Sequence, residues 1–215
     1  MISALTSRAR HLLTDVRAVA ATEFAIVTPF MLVLYLGGVE LGTGLSMNVK
    51  VSATAHSVAD MVTQNTQVSE AQMDGILAAA SAIMAPYPTK NGSTPLMTIT
   101  VSEVSTDTSG NATVRWSKST NASGARTPGA AMTLSAFTAA GGTKNAKISL
   151  ILSEVSYDYK PNLGGAIAGT IKLSDSYYLF PRCSTNSSSF PFYDIKYGPG
   201  VTTCTCVQHL QQKIC

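Results

Sequence analysis

Apolar residues run almost without interruption through one early stretch of the chain and fall into narrower periodic patterns further on. Ala18 to Val49 holds only two charges, Glu23 and Glu40, and Phe24 to Val39 holds none. A helix rises about 1.5 Å per residue, so about 20 residues cross a hydrocarbon core of roughly 30 Å. Residues 19–45 are therefore read as a transmembrane helix, with Pro29 expected to kink it and Gly37, Gly38, Gly42 and Gly44 to loosen it. Beyond Lys50 the apolar positions narrow to a stripe. Val51, Ala55, Val58, Ala59 and Val62 recur at steps of three and four, with Ser52, His56, Asp60 and Gln64 between them. The helix should continue as a stalk to about Asn65, and Asn65-Thr66-Gln67-Val68 reads as a turn. Ser69-Glu70-Ala71-Gln72 is a capping box, and Met73, Ile76, Leu77, Ala80, Ile83 and Met84 follow on one face before Pro86 and Pro88. This predicts a second helix returning antiparallel to the stalk. His56 and Asp60, one turn apart on the polar face, read as a solvated pair.

From Leu96 the period changes to two. Met97, Ile99 and Val101 alternate with Thr98, Thr100 and Ser102, Asp107-Thr108-Ser109-Gly110-Asn111 makes a turn, and Thr113 to Ser117 returns as the second arm of a hairpin. Trp116 on that arm is read as core rather than as a ligand platform. Lys118 to Asn145 carries turn signals and reads as loop, with room for a short strand or helical turn at Met132 to Phe137. Ala146 to Tyr159 is the strongest strand, apolar on both faces at Ile148 to Leu152 and alternating afterwards. Pro161 to Gly165 turns the chain into a last strand, Gly169 to Phe180. The expected fold class is α+β: a long N-terminal transmembrane and stalk helix, a second antiparallel helix, and an antiparallel sheet of about four strands. Five segments follow: a basic leader 1–18, the membrane helix 19–45, a helical stalk or hairpin 46–86, a β domain 87–182 and a cysteine-containing tail 183–215.

Charge orients the chain. The formal net charge is +3, and most of it sits in the leader, where Arg8, Arg10 and Arg17 outweigh Asp15. The Lys/Arg bias places the N-terminus in the cytoplasm and the bulk of the protein on the other side of the bilayer. A cleaved secretory signal also begins with basic residues, but this apolar run exceeds the usual signal core and no small-x-small site follows Leu41. The remainder is nearly neutral, which argues against nucleic-acid binding. No cofactor-binding motif occurs, and neither Gly-x-Ser-x-Gly nor His-Glu-x-x-His is present, so an enzyme is not expected.

Two kinds of residue carry candidate chemistry. An ionised carboxylate at bilayer depth costs about 2.5 to 3.5 kcal/mol even on lenient insertion scales. Glu40 fits an interfacial position, whereas Glu23, six residues after Arg17, is either a snorkelling partner of that arginine or a carboxylate with a role of its own. All four cysteines, Cys183, Cys204, Cys206 and Cys215, lie in the tail, as disulfides of an oxidising compartment would. Cys204 and Cys206 are too close to pair naturally, so Cys183 should take one and Cys215 the other, in either combination. A zinc site made of Cys204, Cys206, His209 and Cys215 is the competing reading, with a spacing unlike the usual knuckle.

The basic leader, the small residues before Glu23-Phe24, the Pro six residues later, and Gly37-Gly38-Val39-Glu40-Leu41-Gly42 closing the helix together resemble the TadE-like family, pseudopilin-like proteins of the bacterial tight-adherence (Flp-type) pilus machinery. Ala85-Pro86-Tyr87-Pro88 and the strand order ending in Tyr178-Leu179-Phe180-Pro181-Arg182 are similar to the same family, which extends the resemblance from the leader to about Arg182. The resemblance implies cleavage by a prepilin peptidase between Ala18 and Val19, with Ala18 standing where the family usually has Gly, and with Glu23 as the fifth residue of the mature chain. It also implies a pilin-like outline, partners among other pilin-like and Tad assembly proteins, and a role in cell adhesion. The new amine at Val19 would favour the ionised form of Glu23, in its own chain or a neighbour. Against this minor-pilin reading stand an uncleaved single-pass envelope protein and a tethered enzyme. The mature N-terminus separates the first two.

Overall fold

A computed structural model describes residues 16–133, 144–161, 169–182, 195–207 and 212–214. The chain divides into two units, one of Met1–Gly44 with Pro161–Gly169 and the other of Leu45–Lys160 with Thr170–Cys215. Helix α1 (Val16–Thr63) supplies the first unit up to Gly44 and enters the second from Leu45. Its helical assignment continues through Pro29. The hydroxyls of Thr22, Thr28 and Thr43 donate to the carbonyls of Val19, Phe24 and Val39 at 2.8, 2.7 and 2.9 Å. Each of these three hydroxyls is thereby satisfied by the helix's own backbone, as a medium without water requires.

In the second unit the elements run β1 (Asn65–Ser69), α2 (Glu70–Ile83), β2 (Lys90–Asn91), β3 (Thr94–Pro95), β4 (Met97–Thr106), β5 (Ala112–Ser119), β6 (Ala131–Met132), β7 (Ser149–Tyr159), β8 (Ile171–Leu179), β9 (Lys196–Gly198), β10 (Cys204–Val207) and β11 (Gln212–Ile214). The α+β class holds, with differences in detail. The main sheet has five strands rather than about four, in the order β6-β5-β4-β7-β8, antiparallel throughout. A second sheet, β11-β10-β1-β9, had no expectation behind it.

Local chemistry explains the elements that were read correctly. Ser69 caps α2 by accepting from the Gln72 amide at 3.2 Å. Lys50 Nζ donates to the carbonyls of Ile83 and Ala85 at 3.0 and 2.7 Å, so the far end of α2 lies beside Lys50 and the two helices are antiparallel. The turn between β4 and β5 is held by Asp107, whose carboxylate accepts from the amides of Ser109 and Asn111, both at 2.8 Å. Gly110 sits there at φ +77°, where a Cβ would meet Lys144 Cβ at 2.5 Å.

The segment read as a turn, Asn65 to Val68, is instead strand β1. It pairs in parallel with β9 and antiparallel with β10, partners more than a hundred residues away. Nothing within Asn-Thr-Gln-Val alternates, so its extended state comes from those ladders and not from its own pattern. One core lies between the helices and one face of the five-stranded sheet: Val51, Ala55, Val58 and Val62 of α1, Met73, Ile76, Leu77 and Ala80 of α2, and Ile99, Val101, Ile151 and Val155 of the sheet. Ile195, in the segment read as a tail, is also fully buried there.

Candidate functional site: an uncovered apolar helix and its carboxylates

The stretch of α1 after Val19 has the composition of a core and the exposure of a surface. Phe24 is 73% exposed, Val33 70% and Tyr35 69%, and none of the helix's most apolar window is buried. Val19 to Gly44 rises about 39 Å, more than a hydrocarbon core needs. So much contiguous apolar surface is not stable in water and marks contact with lipid or with other apolar helices.

The acids sit at different places on it. Glu23 is exposed, beside exposed Phe24 and one turn from exposed Val19, so its carboxylate is available to a group outside the chain. Glu40 is half-buried and engaged within the protein. Ala18 lies in α1, so the Ala18–Val19 peptide is helical. Arg8, Arg10, Asp15, Cys183, His209 and Cys215 lie outside the described residues. Of the cysteines within them, Cys204 is buried on β10, Cys206 is half-buried two residues on, and neither is free. Among the described residues no cluster of three or more metal-binding side chains forms.

Several residues take partners that sequence spacing did not suggest. His56 and Asp60 do not act as a pair: the His56 ring stacks on Tyr177, centroids 3.5 Å apart and 18° from parallel, while Asp60 forms an ion pair with Arg182. Trp116 is core as expected, and its Nε1 also donates to the Ile195 carbonyl at 2.7 Å. Glu103, fully buried on β4, accepts from Ser149 Oγ at 2.6 Å and from the Ile195 amide at 3.1 Å. A carboxylate in a run of strand residues gave no sign of this, because both donors are remote in sequence. Near the start of α2, Lys118 on β5 pairs with Asp74 at 3.1 Å, and the hydrogen bond from that contact raises the lysine's pKa above its usual value.

An uncovered apolar helix on an α+β unit has the build of a single-pass membrane-anchored protein. Residues 18–60 match the model of the TadE-like protein family, and over that segment the chain is similar to that family. No curated protein and no solved structure matches the chain. The matched segment begins at Ala18 and ends at Asp60, so it takes in the uncovered stretch, both carboxylates and most of the buried stripe that follows.

Proposed function

We propose that the chain is a pseudopilin or minor pilin of a bacterial tight-adherence (Flp, type IVb) pilus apparatus, held in the inner membrane by α1 with its N-terminus in the cytoplasm and its globular unit in the periplasm. The observation that carries this reading is the coincidence of the TadE-like match with a helix that is apolar all round, uncovered, and marked by an exposed carboxylate near one end. A prepilin peptidase cuts between Ala18 and Val19, and the ammonium created at Val19 stabilises Glu23 across a helix pair, because an opposite charge favours the ionised carboxylate in low dielectric. Partners are the bilayer, other pilin-like chains and Tad assembly proteins, and the role is structural rather than enzymatic. Cys204 and Cys206 form disulfides with Cys183 and Cys215, tying the end of the chain to β10 in an oxidising compartment.

Mass spectrometry of the N-terminus of the protein recovered from membranes tests the reading. A mature chain starting at Val19 is the expected result, together with loss of piliation for Glu23→Ala. An intact leader with pili unaffected by Glu23→Ala identifies instead an uncleaved envelope protein with a periplasmic binding domain.

A further inference from the structure

The two faces of the five-stranded sheet are unlike. One carries the main core, and the other, turned away from the helices, buries Val104, Leu150 and Leu152 at one end and presents polar side chains at the other. Register places its side chains in rungs: Thr98, Ser156 and Ser174 lie side by side across β4, β7 and β8, and Thr100, Glu154 and Ser176 form the next rung. Neighbouring strands stand about 4.8 Å apart and successive rungs about 6.7 Å, so the face is a grid of hydroxyls with a carboxylate among them. One wall is the segment from Asn121 to Arg126. It lies close on the sheet because Gly124 has no side chain; a Cβ there would come within 2.7 Å of Ser119 Oγ. From this wall Arg126 reaches Glu154 through Nη2 at 2.6 Å and Nε at 3.1 Å. Lys172, Ser174 and Ser176 of β8 line the other side, and the groove is about 630 Å³.

Arg126 and Glu154 neutralise each other on this face and Lys172 adds one charge at its rim, while Asp175, paired with core-facing Val155, belongs to the opposite face. A polyanion gains little from a single rim lysine, and an apolar peptide would cover the hydroxyls of Ser156, Ser174 and Ser176 without offering them partners. A neutral polyol fits, since each ligand hydroxyl both donates and accepts and so matches Ser and Thr hydroxyls as well as a fixed Arg–Glu pair. One rung beyond the groove on the same face, Tyr178 is 41% exposed, a flat ring on which the carbon-bound face of a sugar can stack. We propose that this outer face of the sheet, from Lys172 to Tyr178 and across to Arg126, binds a neutral glycan chain. The proposal stands apart from the reading of α1, since none of its residues belongs to that helix.

The full chain, held in lipid nanodiscs to keep glycosidic detergents out, is probed with an array of neutral oligosaccharides and with polygalacturonate. Binding to at least one neutral glycan is expected, weakened at least about tenfold by Ser156→Val with Ser174→Val and by Tyr178→Ala, each loss being about one hydrogen bond or one stacked ring. Unchanged thermal unfolding of these variants separates the effect from misfolding, and Lys172→Ala is expected to leave neutral-glycan binding within about twofold. No binding to any neutral glycan, binding that survives the Ser and Tyr substitutions, or a preference for polygalacturonate abolished by Lys172→Ala each overturns the proposal.

Discussion

Helix α1 contains two kinds of valine. Val33 and Val58 occupy the same element in the same backbone conformation, yet Val33 is 70% exposed and Val58 fully buried. The sequence around them differs in a simple way. Around Val33 every position is apolar, which only a surrounding apolar medium can satisfy; around Val58 apolar residues form one stripe, which a single packed partner can cover. One helix thus serves two surroundings, an apolar medium outside the chain and the protein's own core, and the change lies near Lys50, whose ammonium is held by the carbonyls ending α2.

The comparison breaks most sharply under substitution by aspartate. Val58→Asp buries a charge without a partner and is expected to unfold the globular unit, a cost of at least about 3 kcal/mol. Val33→Asp is expected to leave that unit's unfolding temperature unchanged and to impair membrane insertion by about 2.5–3.5 kcal/mol. Limited proteolysis and carbonate extraction read the two outcomes, and equal effects would erase the distinction between the stretches. Truncation gives a milder version. Met73→Ala, at a fully buried position on α2, should cost about 2–5 kcal/mol in urea unfolding, whereas Leu34→Ala on the uncovered stretch should not move the midpoint.

Smaller effects probe how the globular unit is tied together. Trp116→Phe keeps the ring but leaves the buried Ile195 carbonyl without its donor, an expected loss of about 1–3 kcal/mol. Faster amide exchange at β9 than in the native protein is the accompanying sign; unchanged exchange would show that the bond does not anchor that segment. Ser69→Ala removes the α2 cap and the contact with Thr203, for about 1 kcal/mol. The smallest effect is a pH dependence. Hydrogen bonds from Asn111 and its neighbours hold the Asp107 carboxyl below its ordinary 3.8. Its contribution to the turn is therefore present above that value and fades as pH falls through the lowered one. An NMR titration of the Ser109 and Asn111 amides should show it, and an Asp107→Asn variant should lose the inflection.

Legibility in the sequence followed the range of the determining interaction. The capping box at Ser69, the alternation from Met97 to Val101 and the turn at Asp107 are local patterns, and each produced the element expected of it. The candidate carboxylates were equally plain, because charges are conspicuous against an apolar background. What stayed hidden was everything made by distant pairing. Asn65 to Val68 read as a turn but form a strand between β9 and β10. His56 and Asp60 read as each other's partners but were claimed by Tyr177 and Arg182.

By itself, the sequence determined that one helix is too apolar for water, that it carries two acids, and that an α+β unit follows, because hydropathy and short-range periodicity act residue by residue. The tertiary structure alone decided that Ile195 enters the core and that β9 and β10 flank β1, that Glu103 is buried against Ser149, and that the hydroxyls of three strands meet in one groove. Those outcomes depend on which strands lie side by side, and ladder pairing between residues far apart leaves no mark in the local pattern of either partner.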